Sequence, residues 1–425
     1  MKKMIATFIL FSTICIISLS SCDFILDAND REQSDSGSNS ENGDNTEDGN
    51  DSENTQGGED MIPEAPKATV LPVKGGAKGI VVLIHDDGYT GTVERFDSLL
   101  EKHGLVGNIA LVTKFVYNTT TKTPKTSEVK KFQKFLDTGR WKIVSHSYTH
   151  EWWAEDGVEN ADRMYEEIVG SQTILRELFP GQRVLTFAYP GLSSAVAQYG
   201  SQTVFSEAAK KLIEDTYISG RKGMSTAPID ITNQYLKWNL LNGYGFMNGA
   251  VRNGTVQSII ENAAKNGGLA LLYTHQLKAD TETQEKADAT TYNNNVMGIY
   301  YMDMVCEEVA KHVKNGDVWN TYYEDAILYI REAQTSQVSV SESEDLLRVL
   351  LTDEMDDEIY NYALTVRIAV PDSWGAVRIS QGESVSYASV KEIEGKLYID
   401  ADIIPDAGEA TISPITPSEY NEISK

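Results

Sequence analysis

Gly79-Ile-Val-Val-Leu-Ile-His-Asp-Asp-Gly88 is the stretch on which the fold turns. Residues 80–84 are all apolar, mostly β-branched, with no polar alternation. Such a run reads as a strand buried on both faces, the kind found in parallel sheets. It ends in two adjacent carboxylates and a glycine suited to a tight turn. Thr92–His103 follows and sets Val93, Phe96, Leu99 and Leu100 on one helical face before Gly104 stops it. The same strand-then-helix unit recurs. Further strands are expected over Asn108–Thr113, Trp141–Ser145, Arg183–Ala188, Thr216–Ser219 and Gly268–Thr274. Helices are expected over Glu128–Leu136, Ala161–Leu178, Ser206–Asp215, Thr255–Lys265 and Met302–Lys314, and the alternation ends after Tyr322–Glu332. Alternation of this kind implies an α/β fold with a parallel sheet, open or closed into a barrel.

Outside that region the chain changes character twice. After about Gln337 the helices stop, and short strand-like runs follow at Tyr362–Val370, Ala376–Ser380, Val385–Val390 and Leu397–Ile403. Turn signals at Pro371-Asp372 and Glu394-Gly395 punctuate them, which reads as a small all-β sandwich. Before the first strand, residues 23–60 carry 13 Asp and Glu against one basic residue, Arg31, nearly half of the chain's net charge of −26. A segment with so little to bury cannot offset its ordering entropy and is expected to stay disordered and extended.

The N-terminus reads as a targeting signal. Lys2 and Lys3 precede an apolar run over Met4–Ile17 that is too short to span a bilayer comfortably. Leu19-Ser-Ser-Cys22 follows and resembles the lipobox of bacterial lipoproteins, which implies an acylated Cys22. The expected layout is a signal peptide over 1–21, an acidic tether over 22–66, an α/β domain over 67–335 and a β-sandwich over 336–425. The expected location is the bacterial cell envelope, lipid-anchored and facing outside the cytoplasm. With Cys15 removed and Cys22 acylated, Cys306 stands alone, so the mature chain has no intrachain disulfide and no cysteine-based metal site. The acidic balance excludes nucleic acid as a partner, since a polyphosphate calls for clustered Lys and Arg.

Six His occur in the chain. His146 and His150 lie in Ser145-His-Ser-Tyr-Thr-His150, directly after an expected strand. Their spacing of four puts both imidazoles on one face if the segment turns helical. Two facing His and one carboxylate make a common catalytic metal site. Asp86 and Asp87 end the first strand, where one can ligate a metal while the other holds a water proton. A third strand ends in Phe187-Ala-Tyr-Pro-Gly191 and another in Leu271-Leu-Tyr-Thr-His275. Four polar constellations at the C-terminal ends of expected parallel strands suit the face where α/β barrels carry their sites. Trp152, Trp153, Tyr189 and Tyr273 flank these motifs. His103 and His312 read as exposed helix residues.

At these residues the sequence resembles the polysaccharide deacetylase family, whose catalytic unit is the NodB homology domain. Ile84-His-Asp-Asp-Gly88 is similar to its Thr-Phe-Asp-Asp-Gly motif. His146-Ser-Tyr-Thr-His150 is similar to its His-Ser/Thr-x-x-His motif, and Leu272-Tyr-Thr-His275 to its Leu-x-His motif. The resemblance runs from about Gly79 to Glu332. It implies a distorted (β/α) barrel and a divalent metal ion, usually zinc, held by Asp87, His146 and His150. It further implies Asp86 as general base, His275 as general acid and the backbone N–H of Gly191 as a donor to the oxyanion. The family's usual Arg in the third motif is Ala188 here. Some relatives take that Arg from a later strand, and Arg221 in Ile218-Ser-Gly-Arg221 is placed to serve, since a guanidinium can grip a carboxylate with two parallel bonds. The activity implied is removal of acetyl groups from a polysaccharide, with N-acetyl groups of an N-acetylglucosamine-containing glycan as the first expectation. The alternatives are an O-acetyl esterase acting on xylan-type polymers and a non-catalytic glycan-binding protein that keeps the fold.

Overall fold

Along the first long strand, Ile80, Val82 and Ile84 turn into one apolar cluster while Val81 and Leu83 turn into another. That period of two is what a strand buried on both faces must show. The structure, a computed structural model, describes residues 67–151, 153–155, 158–191, 195–199, 202–223, 225–289 and 296–423, with backbone alone for 154–155, 158–159, 195–199 and 202–205. The signal peptide and tether expected over 1–66, Cys22 and Trp152 lie outside these residues.

Strand β1 (Ala68–Val70) is followed by β2 (Gly79–Asp87), β3 (Gly107–Leu111), β4 (Trp141–Ser145), β5 (Thr186–Ala188), β6 (Ser219–Lys222), β7 (Leu241–Asn242), β8 (Tyr244–Gly245), β9 (Gly268–Thr274) and β10 (Val318–Asn320). From β2 onward they form one sheet in the order β7-β6-β5-β4-β3-β2-β9-β8. Every pairing in it is parallel. Its two ends, β7 and β8, belong to one extended segment and are separated only by Gly243. The sheet therefore nearly closes on itself. β10 adds parallel to the N-terminal half of β2. There Asn320 bridges β2 to the turn before β3, donating to Val81 O and accepting from Val106 N.

Helices Thr90–His103, Thr126–Leu136, Thr255–Asn266 and Ile299–Lys314 cover the outside through Phe96, Leu100, Phe132, Ile259, Met302 and Val305. Each such burial contributes roughly 1.5–3 kcal/mol. Helix Tyr323–Thr335 is buried along most of its length, and Tyr323, Ala326, Ile327 and Ile330 join the inner cluster. The strand expected over Thr216–Ser219 runs instead over Ser219–Lys222. The preceding helix holds on to Thr216, and Tyr217 N still bonds back to Ile213 O. The helix expected over Ala161–Leu178 is present but carries a π-turn at Glu166–Gly170.

The C-terminal region is a sandwich of two antiparallel sheets. One pairs Ala68–Val70 with Leu364–Ala369, Lys396–Ile403 and Lys391–Ile393. The other joins Gln337–Ser343, Leu346–Thr352, Ala410–Ile415, Ala376–Gln381 and Ser384–Ser389. Val349, Leu351, Val366, Ile368, Ile379 and Ile399 fill the space between them. The chain thus enters the sandwich through β1 before it builds the barrel. Tyr329 of helix Tyr323–Thr335 joins the sandwich core and donates its hydroxyl to Leu71 O.

Candidate metal and catalytic site

The site lies at the C-terminal end of the barrel strands, the end from which active sites of this architecture are built. Ile80, Val82 and Ile84 face inward, so the same alternation carries Asp86 inward. The backbone of Asp87 then breaks the pattern with φ +74, and Gly88 follows at φ +84. A Cβ on Gly88 would come within 2.5 Å of the Leu111 side chain, so glycine is required there.

The two His converge differently from the helical expectation. Residues 146–150 form no helix; Ser147 and His150 adopt left-handed backbone at φ +66 and +62. The Ser147 hydroxyl accepts from His150 N at 3.0 Å and closes the turn. His146 Nε2 lies 3.6 Å and His150 Nε2 3.7 Å from Asp87 Oδ1. The donor atoms of all three residues lie within 4.8 Å of one another. His146 Nδ1 makes a 2.8 Å hydrogen bond with the carbonyl of Ala188. As donor in that bond it leaves Nε2 with its lone pair directed at Asp87, the arrangement that fixes a metal-ligating tautomer. Burial, then the neighbouring His146, lowers the His150 pKa and favours the neutral form a ligand must have. Burial opposes ionisation of Asp87, but His146, His275 and His150 outweigh it and bring its carboxyl to about 2. Two neutral-capable imidazoles and an ionised carboxylate fit a divalent ion.

One residue that sequence reasoning passed over holds this loop. Glu167 lies in the π-turn, buried, and its carboxylate accepts from Tyr148 N at 3.0 Å, Thr149 N at 2.8 Å and the Thr149 hydroxyl. A π-turn inserts an extra residue into the helix and re-aims the side chain beside it. The signal was available: Glu167 falls three residues after Met164 and four before Ser171, all three buried on one side of the helix.

Asp86 is 3% exposed and Arg221 is 1% exposed. Arg221 Nη2 donates to both carboxylate oxygens, at 2.6 and 2.9 Å. The grip is therefore one nitrogen straddling two oxygens, not the two-nitrogen fork expected. Burial alone would raise the Asp86 carboxyl; Arg221, followed by His146 and His275, holds it below the usual carboxylate range. Arg221 stacks on the ring of Tyr273, with Cζ 4.0 Å from the centroid. The segment joining β7 and β8 presses on this pair, and a Cβ on Gly243 would come within 2.8 Å of Arg221 Cδ.

His275 follows β9 and is half-buried, its ring 6.1 Å from that of Tyr273 and close enough to lower both Asp86 and Asp87. Gly191 is placed otherwise than its expected role requires. Its N–H donates to Tyr189 O at 2.8 Å in a tight turn at φ +58, so it is not presented to an incoming oxygen. His85 lies under the site, fully buried, and burial pushes it down to about 4. Trp153 and Tyr189 are core residues. His103 pairs with Asp303 at 2.7 Å, and His312, expected on the surface, is buried at 7% exposure.

Residues 74–210 match the family model for polysaccharide deacetylase. A gellan lyase from Bacillus sp. is 22% identical over 359 residues, which is 81% of this chain but only 13% of that protein. The chain thus spans about an eighth of the length of this relative. Among solved structures, a family 4 carbohydrate esterase from Streptomyces lividans in complex with acetate aligns over 57% of this chain and 91% of its own, at 14% identity and a TM-score of 0.33. A family 4 esterase from Streptococcus mutans aligns over 58% and 85%, at 16% identity and a TM-score of 0.35. The family match begins just before β2 and contains both the Asp86-Asp87 pair and the His146–His150 loop, so this part of the chain, residues 74–210, is similar to the polysaccharide deacetylase family.

Proposed function

We propose that this chain is a metal-dependent hydrolase that releases acetate from a polysaccharide, acting on N-acetyl groups of an N-acetylglucosamine-containing glycan. The observation that supports it most is the pairing of two different carboxylates on consecutive residues. Asp87 faces His146 and His150, while Asp86 faces Arg221 and is kept ionised in a buried position. A protein that only bound glycans would have no use for that division.

Asp87, His146 and His150 would hold the divalent ion, zinc by the preference of this donor set. When bound, such an ion acidifies water and draws charge from a carbonyl oxygen. The remaining work falls to the chain's own groups. Asp86 accepts the proton of the attacking water, and Arg221 fixes the direction of its oxygens. His275, at the end of the strand next to the one that carries Asp86, hands a proton to the departing amine. Withdrawal of a proton on one side and delivery on the other is the usual division between two such groups.

The test is acetate release from a panel of N-acetylated chitin oligomers, peptidoglycan fragments and acetylated xylan, with and without chelator. Release from the N-acetylated substrates, abolished by chelator and restored by zinc, is the expected result. Release from acetylated xylan alone would make the chain an O-acetyl esterase. Glycan binding with no release from any substrate would make it a binding protein.

The N-terminal sequence supports a location for this activity. Acylated at Cys22, with residues 22–66 as a charged tether, the catalytic part would act at the outer face of a bacterial membrane. A Cys22→Ala protein should incorporate no labelled palmitate; absence of label in the wild type would remove the anchor.

A further inference from the structure

Arg221 fixes the direction of the Asp86 carboxylate, yet hydrogen bonds alone do not aim Arg221. Only its Nη2 reaches the carboxylate, and its Nε is buried with no hydrogen-bond partner. A planar group hydrogen-bonded through one of its three nitrogens can still swing about that contact. What stands against the swing is the ring of Tyr273, whose centroid lies 4.0 Å from Arg221 Cζ. A cation over an aromatic face is attracted by the ring's quadrupole, the more so where water is excluded, and Arg221 is buried.

The ring is in turn wedged by three glycines. Gly245 and Tyr273 are register partners on β8 and β9, and a Cβ on Gly245 would lie 2.7 Å from Tyr273 Cζ. A Cβ on Gly223, just after β6, would collide with the Tyr273 hydroxyl oxygen, and one on Gly243 would lie 2.8 Å from Arg221 Cδ. None of the three has left-handed backbone, so close approach and not a turn is what demands glycine at each. The stretch that carries two of them is itself fastened on both sides. Gly243 N donates to Lys222 O at 2.9 Å, Ser225 N to Gly243 O at 3.1 Å and Phe246 N to Tyr273 O at 3.0 Å. The segment joining β7 and β8 is thus tied to β6 and to β9, the strands that carry the guanidinium and the ring.

We propose that Tyr273 is a positioning residue for the general base. Its ring, backed by Gly223 and Gly245, holds the Arg221 guanidinium in the plane from which Nη2 straddles both oxygens of Asp86. The proposal rests on the deacetylase reading, and it adds that the aim of the base is set by a side chain that touches neither the carboxylate nor the metal ligands through a hydrogen bond.

The experiment has two readouts. One is kcat and KM for acetate release from N-acetylchitotetraose by the zinc-loaded full chain. The other needs no substrate: the Arg221 Nε–H signal of the full chain labelled with 15N-arginine, assigned by its loss in Arg221→Lys and displaced in wild type by the ring current of Tyr273. Tyr273→Leu should lower kcat about tenfold, part of what an aimed base contributes, with KM and bound zinc unchanged. It should also return the signal to the ordinary arginine position. Tyr273→Phe keeps the ring and should restore both. Gly245→Ala should lower kcat by pushing the ring aside, and should add nothing further in Tyr273→Leu. Wild-type kcat in Tyr273→Leu, or a raised KM at unchanged kcat, overturns the proposal, and so does a Tyr273→Phe protein no better than Tyr273→Leu. If Tyr273→Leu does not fold, Gly245→Ala decides: kcat and signal both unchanged there overturn it. A ring-dependent signal without acetate release from wild type upholds the brace and sinks the deacetylase reading. Acetate release with a signal indifferent to Tyr273→Leu sinks the brace alone.

Discussion

Arg221 and Ala188 are register partners on adjacent parallel strands, β6 and β5, and both side chains belong to the barrel interior. The small residue on one strand and the long one on the next are two halves of a single solution. Ala188 leaves open the space that Arg221 crosses to reach Asp86 at 2.6 Å. Arg221→Lys should lower turnover by up to about 10²-fold, because a misaimed base loses much of its contribution, while bound metal stays stoichiometric. Stability should drop as well, since a buried carboxylate left without its full partner is costly. The decisive variant is Ala188→Arg with Arg221→Ala, which moves the guanidinium one strand over at the same level. It should recover part of the turnover lost in Arg221→Ala. No recovery, with metal content intact, would mean that the geometry at β6 itself is needed.

Much of this was legible beforehand, and the reasons differ by residue. Asp86, Asp87 and His275 sit at the ends of strands that announced themselves by unbroken apolar runs, and strand ends fix position. Arg221 could be singled out because Ala188 left a role open. The histidine loop was legible in composition and not in shape: the spacing of four suggested a helical turn, whereas left-handed backbone at Ser147 and His150 does the work. Nothing in a Ser or a His announces positive φ; the Ser147 hydroxyl holds the turn from within, and Glu167 holds it from outside the local sequence. Gly191 was assigned from its motif alone, and its N–H is already engaged. The strands Gln337–Ser343 and Leu346–Thr352 were not legible because one has only Val338 and Val340 as apolar residues and the other directly follows the charges Glu342, Glu344 and Asp345.

Glu167 should be a positioning residue for the metal ligands. It touches none of them, but it holds the two peptides before His150. Glu167→Gln keeps one acceptor and loses the charge; Glu167→Ala loses both. Zinc affinity, measured by competition with a chromophoric chelator, should fall about 10–100-fold in Glu167→Ala, the usual range for residues that orient ligands, and less in Glu167→Gln. Identical affinity in all three proteins would leave Glu167 a purely structural group.

Removing a ligand should separate metal from fold. His146 is buried and bonded to Ala188 O, whereas the His150 side chain is 34% exposed. His150→Ala should therefore lose metal and acetate release with little change in Tm. His146→Ala should lose both and also destabilise the domain, by roughly 1–3 kcal/mol for a buried acceptor left unpaired. Full acetate release by a metal-free His150→Ala protein would refute the site.

Helix Tyr323–Thr335 meets the chain that leads into the sandwich strand Leu364–Ala369 at a buried carboxylate. Glu332 is fully buried, its carboxylate accepts from Tyr362 N at 2.9 and 3.0 Å, and burial raises it from 4.5 to about 7, with Asp353 and Asp357 adding to the rise. The sign follows from comparing the two states. Below about pH 4.5 the group is protonated both folded and unfolded, and its contribution is fully present. Between about 4.5 and 7 the unfolded chain gives up the proton while the folded one keeps it, so stability is lost as pH rises. Above about 7 the loss is complete. Other carboxylates, such as Asp400 with Arg367, are shifted the opposite way, so the wild-type curve alone does not isolate Glu332. Glu332→Gln does: its amide oxygen can still accept from Tyr362 N, and it never ionises. The two proteins should unfold alike near pH 4, and the variant should become the more stable one as pH rises to 8. The gap should be on the order of 1–2 kcal/mol once solvent screening is allowed for. Thermal unfolding of both proteins from pH 4 to 8.5 measures it. Curves that stay parallel throughout would show that Glu332 ionises normally in the fold.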